Sequence, residues 1–176
     1  SLMKIFSLFI LVTQLLFSEN IFNVNSYHYN YFIPLMYDKS VFPSREQREA
    51  EFQISFKKKL QSNLFSDESY YFTYTQTSFW QIYSESAPFR ESNYQPELLI
   101  VKPISNFYIN QLTLAFNHQS NGQPIATSRS WNRLYLQLHK IYKTGEFDLK
   151  FWYRLPEEEK KYASDPNGDD NPDLLD

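Results

Sequence analysis

His118, Ser120 and Asn132 are the residues of this chain whose types and spacing could perform covalent chemistry, and all three lie in the stretch FNHQSNGQPIATSRSWNRLY. A serine hydroxyl is a poor nucleophile until a neighbouring base removes its proton. A neutral imidazole does so when its second nitrogen donates to a third group, and the activated hydroxyl then attacks an acyl carbon. An asparagine oxygen can accept that second hydrogen bond and hold the tautomer, without the charge an aspartate would add. Ser, His and Asn are also common in turns and at strand ends, so the spacing by itself leaves a catalytic and a purely structural reading open.

Whether the three groups meet depends on the elements that carry them. Period-two alternation recurs in seven segments, roughly Tyr29 to Tyr37, Glu51 to Leu60, Tyr70 to Tyr83, Tyr94 to Lys102, Tyr108 to His118, Arg129 to Tyr142 and Phe147 to Leu155. The polar stretches Lys39 to Arg48 and Gln61 to Glu68 read as loops between them. Side chains alternate across a strand, so Leu112, Leu114, Phe116, His118 and Ser120 share one side while Thr113, Ala115 and Asn117 take the other. Asn132 shares parity with Leu134, Leu136 and Leu138. The three polar groups therefore extend apolar rows. Against hydrocarbon an unpartnered polar group costs about 2 kcal/mol or more, and bonding to one another is the economical solution. The same parity puts Gln76 in the row Phe72, Tyr74, Ser78 and Trp80, where a lone amide gains from pairing across a subunit contact; with the parity reversed it lies inside the sheet.

The totals narrow the setting. A formal charge of -3 shows no positive excess of the kind that nucleic acid selects. Without cysteine there is no disulfide framework and no thiol nucleophile, so covalent chemistry falls to oxygen and nitrogen. The mean hydropathy of -0.53 is too polar for a helical membrane protein. The start SLMKIFSLFILVTQLLFSEN places Lys4 before an apolar run from Ile5 to Phe17, the layout of a secretory leader and shorter than the ~20 residues of a spanning helix. Residues 1–20 are read as a signal peptide, and any entry into a membrane must then be by strands. With aromatics crowded at strand ends, the expected fold is an all-β, antiparallel transmembrane β-barrel. A secreted soluble β-sandwich and a non-catalytic barrel or pore are the competing readings.

The motifs NHQSNG and TSRSWNRLY resemble the active-site segment of the outer membrane phospholipase A family, and YTQTSFWQIYSESAPFRESNYQPE and GDDNPD resemble its flanking segments. The resemblance implies hydrolysis of glycerophospholipid acyl esters at sn-1 and sn-2 in the bacterial outer membrane. It implies Ser120 as nucleophile, His118 as general base and then acid, Asn132 orienting the imidazole, and the Ser120 amide on the oxyanion. It further implies calcium dependence and an active homodimer, with calcium held by the Ser128 hydroxyl, the Gln123 carbonyl and Ser86 of the partner subunit, water completing the oxygen shell. By the same resemblance Gln76 sits at the dimer interface, and Phe89 and Glu91 help position the site. Where the family commonly has Arg followed by Ser-Asp-Pro, this chain reads Gln123-Pro124-Ile125-Ala126, and Pro124 restricts the backbone before it. Family barrels have twelve strands against seven legible here, so residues 21–176 are read as the N-terminal part of the barrel domain, and an inactive fragment of the enzyme is a further competing reading.

Other candidates carry less. His28 and His139 fit no catalytic motif and are expected at solvated or girdle positions. Asp165, Asn167 and Asp169 form an oxygen-rich run in the acidic tail, but the glycine is misplaced for a calcium-binding EF-hand.

Overall fold

The computed structural model describes residues 24–37, 39, 45–105, 108–162 and 165, for Ile125 the backbone only. The segment read as a signal peptide, part of the break from Lys39 to Arg48, Asn167, Asp169 and the GDDNPD motif lie outside the described residues.

Alternating side chains build one antiparallel sheet. Its strands are β1 (Val24–Ser26), β2 (Tyr31–Tyr37), β3 (Arg48–Ser62), β4 (Ser69–Trp80), β5 (Phe89–Pro103), β6 (Gln111–Ser120), β7 (Ser130–Tyr142) and β8 (Gly145–Arg154). From β3 onward each strand pairs with the next in sequence, and β1 and β2 both lie along the free edge of β3. The sheet is antiparallel throughout, and among the described residues it is not closed: β8 does not pair with β1 or β2.

Eight strands stand where seven segments are legible. The additional one is β1, which lies ahead of the first expected segment, Tyr29 to Tyr37. Between β1 and β2 Asn30 takes over part of the ladder with its side chain: its Oδ1 accepts the Ser55 N–H at 2.6 Å and its Nδ2 donates to the Ser55 carbonyl at 3.2 Å. Tyr27 is thereby released to turn inward, its hydroxyl 3.3 Å from that of Tyr135. At the other end of the sheet β4 stops at Trp80 rather than Tyr83, because Gln81 N–H bonds the Pro88 carbonyl and Trp80 Nε1 the Ala87 carbonyl, closing a tight loop. β5 begins five residues before the expected Tyr94, where Arg90 forms a double hydrogen bond, 2.8 Å each, to buried Glu49 of β3.

Two faces of opposite chemistry result. On the concave side Thr73 Oγ1 and Asn117 Nδ2 donate to the two oxygens of Glu97, Arg133 donates to Asn117 Oδ1, and Ser55 bonds Thr75. Asn117 is only 1% exposed, and its neighbours satisfy every end of its amide. A small apolar cluster of Leu99, Ala115 and Tyr135 packs beside this network. The convex side carries cross-strand rows: Phe72, Leu98, Phe116, Leu134 and Tyr153 in one, Ile100, Leu114, Leu136 and Phe151 in the next. Leu98 is 52% exposed and Leu114 48%. A contiguous apolar band of this size is a liability in water and the expected exterior in lipid.

Candidate active site

The convex rows end, toward one rim, in polar residues. Register pairs Gln76 with Tyr94, Tyr94 with Ser120, and Ser120 with Ser130; one step nearer the apolar band, His118 stands opposite Asn132. Directly opposed side chains on adjacent strands are near neighbours, and here they bond: His118 Nδ1 and Asn132 Oδ1 are 2.9 Å apart. Since an amide oxygen only accepts, that contact fixes the proton on Nδ1 and leaves Nε2 as a base. The half-buried ring lies between the apolar row of Phe116 and Leu134 and the rim.

Ser120 lies on the same face two residues beyond His118, about 6.8 Å along the strand at ~3.4 Å per residue. Its Oγ accepts the Gly122 N–H at 3.2 Å and forms no hydrogen bond to His118 among the described residues. A hydroxyl has one donor and two acceptor sites, so this contact leaves its proton free for an imidazole. Gly122 is required where it stands. Its φ of +62° is left-handed, and a Cβ there would come within 2.6 Å of the Tyr94 ring.

The loop between β6 and β7 is organised by buried Asn121, which nothing in the strand pattern marks. Its Nδ2 donates to the Thr127 carbonyl, its Oδ1 accepts the N–H groups of Gln123 and Arg129, and its own N–H donates to the Arg129 carbonyl. The Asn-Gly pair is a turn signal that could have pointed to it. A second unmarked residue is Glu157, whose Oε1 accepts from Asn132 Nδ2 at 2.8 Å.

Of the residues expected at the site, Gln123 is exposed and Ser128 half-buried in this loop, while Ser86 is exposed in the separate loop between β4 and β5. Ser128 Oγ and the Gln123 carbonyl have no hydrogen-bond partner among the described residues, and both are hard oxygen donors of the kind calcium takes. They are neutral. The Ser128 carbonyl meanwhile accepts Lys160 Nζ at 3.2 Å. No group of three or more His, Cys, Asp or Glu residues among the described ones could hold a metal ion. Glu91 pairs with Arg129 at 3.0 Å and accepts from Asn93, tying β5 to the loop that carries Ser128; Phe89 stacks on Trp80.

Gln76 takes the convex face. It accepts from the Tyr74 hydroxyl and donates to Ser78, which in turn bonds Ser92. His139 belongs elsewhere, paired with Asp148 at 2.9 Å, and His28 lies against Tyr27.

A sheet with a polar concave face, an apolar convex face and a histidine–asparagine pair at the edge of the apolar band is of the transmembrane β-barrel class. Comparison with known proteins narrows this further. Residues 11–176 match the phospholipase A1 family. The Klebsiella pneumoniae phospholipase A1 is 35% identical over 133 residues, which cover 72% of this chain and 43% of that protein. Among solved structures, a Salmonella typhi outer membrane phospholipase dimer with bound calcium is similar at 31% identity and a TM-score of 0.68, over 80% of this chain and 61% of that one. Escherichia coli outer membrane phospholipase A, solved also as an active-site mutant with an asparagine changed to alanine, gives 29% identity and 0.70, over 79% of this chain and 60% of that one. The chain belongs to the phospholipase A1 family. It spans less than half the length of the Klebsiella relative it matches.

Proposed function

We propose that this chain supplies the catalytic face of a calcium-dependent phospholipase A1/A2 of the bacterial outer membrane, acting on glycerophospholipids and lysophospholipids. The observation that carries the reading is the 2.9 Å contact of His118 with Asn132 on the apolar face, with Ser120 two residues further along the same side. An ester bond of a lipid lies at the depth where such a face ends.

In this reading His118 Nε2 takes the Ser120 proton as Oγ attacks the acyl carbon, and the charge that develops on the imidazole is borne through Nδ1–H by Asn132. The Ser120 amide helps hold the carbonyl oxygen. His118 then gives its proton to the departing glycerol oxygen, the acyl–oxygen bond breaks, and a lyso-lipid leaves. Water, deprotonated by the same imidazole, releases the fatty acid and restores Ser120. Ser128 and Gln123, with Ser86 of the partner subunit, would hold calcium, which when bound supplies positive charge to polarise the ester carbonyl. The asparagine changed in the Escherichia coli active-site mutant supports the role given to Asn132, and the Salmonella typhi dimer with calcium supports both the metal and the homodimer. In this reading Gln76 lies at the subunit contact, where the N–H and the oxygen lone pair left over from its bonds to Ser78 and Tyr74 can pair with a second amide across a two-fold axis.

The test is turnover of a fluorogenic phospholipid by the full-length protein in calcium-containing micelles. Ser120→Ala and His118→Ala should each lower kcat by about 10⁴-fold or more. Unchanged turnover in Ser120→Ala would instead establish a barrel without this chemistry.

A further inference from the structure

Asn132 is gripped from both ends: its Oδ1 meets His118 Nδ1, and its Nδ2 donates to Glu157. The two ends of an amide have nearly the same shape and opposite polarity. Turned over, Asn132 would present its NH₂ group to His118 Nδ1, and the ring proton would move to Nε2. That tautomer cannot accept the serine proton. A carboxylate accepts hydrogen bonds and never donates them, so Glu157 is compatible with one orientation of the amide, the one with Oδ1 toward His118.

The chain path brings Glu157 there. β8 ends at Arg154, the Leu155 N–H donates to the Asn132 backbone carbonyl at 2.8 Å, and Pro156 follows. Three residues past Glu157, Lys160 Nζ bonds the Ser128 carbonyl, so one segment straps both Asn132 and the loop before it. Glu157 is held at a cost, since its second carboxylate oxygen is buried with no hydrogen-bond partner among the described residues. A carboxylate with one bonded oxygen and the other buried and unpartnered calls for a reason.

We infer that Glu157 is a positioning residue of this site, locking the Asn132 amide and, through it, the Nδ1–H tautomer of His118. The inference rests on the catalytic reading of His118 and Asn132. Glu157 touches neither substrate nor reacting atoms. Its negative charge also polarises the amide, so that Oδ1 becomes a better acceptor for the imidazolium formed during attack.

The discriminating variant is Glu157→Gln, which keeps shape and packing while allowing the amide pair to bond in either orientation. In the full-length protein labelled with ¹⁵N-histidine, without calcium, the His118 ring should give the Nδ1–H signature, and Glu157→Gln and Glu157→Ala should both give a mixture with Nε2–H. In calcium-containing micelles the same variants should lower kcat about tenfold with KM unchanged, the low end for loss of an outer partner of a functional histidine. A merely structural glutamate would leave Glu157→Gln like the parent. A parental tautomer and kcat in Glu157→Gln, with Ser120→Ala inactive, would overturn the role of Glu157 alone. Unchanged turnover in Ser120→Ala would remove the catalytic reading while the tautomer measurement still reports on the lock.

Discussion

Aspartate at position 132 would restore the charge that serine hydrolases usually place behind their histidine, yet this site is built against it. The new carboxylate would stand where Asn132 Nδ2 now donates to Glu157 at 2.8 Å. Two carboxylates so close cannot both ionise near neutral pH, and the shared proton would compete with the bond to His118. Asn132→Asp should therefore lose activity. Adding Glu157→Gln should recover about tenfold of the loss, by removing the repulsion and restoring a donor to the new carboxylate. The check is kcat of the two single variants and the double variant under one set of conditions; a double variant no better than Asn132→Asp would show that the two side chains are not coupled. Tyr94 and Gly122 also act at this scale: with the Tyr94 ring where a Cβ would stand and φ at +62°, position 122 favours glycine, whose amide donates to Ser120 Oγ.

At the scale of elements, β3 to β8 are legible because their alternation persists for ten residues or more, enough for one face to be recognisably apolar. β1 has three residues and no such pattern, and the division from β2 depends on Asn30 replacing backbone with side chain. Strand ends are set by loop bonds such as Trp80 to Ala87, which periodicity does not record. For the site, parity put His118 and Asn132 on one face, since each is fixed by its own strand. Glu157 was hidden because its contact spans 25 residues and depends on how the chain leaves β8. The turn between β3 and β4 offers a test of such loop bonds. Glu68 there accepts the N–H groups of Phe65 and Ser66, and these bonds, the one from Phe65 first, hold its carboxyl down at about 2 against an ordinary 4.5. A depressed folded value means that the carboxylate stabilises the turn fully above pH ~4.5, and that this support is lost as pH falls toward ~2. Hydrogen-exchange protection of the Phe65 and Ser66 amides, corrected for intrinsic rates, should hold from pH 7 to 4.5 and fall below it. In Glu68→Gln it should be low throughout, with no step in that window.

For the whole molecule, the height of the apolar band places the His118–Asn132 pair. On β7 the outward residues run Asn132, Leu134, Leu136, Leu138, Lys140, and on β5 the outward Leu98 and Ile100 are followed by Lys102. Charged residues thus mark one border of the band, and His118 with Asn132 the other. From Asn132 to Lys140 the strand covers about 27 Å, or about 20 Å of height at a tilt of ~40°, a little less than the ~25 Å of an outer-membrane barrel's apolar belt. The His118–Asn132 pair therefore lies at the border of the band rather than at its middle, which under the proposed function is the level of ester bonds instead of acyl tails. This makes the cost of a charge depend on depth. Leu136→Arg, in the middle row with Leu114 and Phe151, should destabilise the full-length protein folded in lipid vesicles by about 2–4 kcal/mol, whereas Tyr142→Arg, beyond Lys140 beside the hairpin turn, should cost about 0–1 kcal/mol. Reversible urea unfolding from vesicles measures both. In a soluble sandwich these exposed positions would tolerate arginine alike, so equal and small costs would remove the lipid-facing assignment of this surface and, with it, the route by which a lipid ester reaches His118.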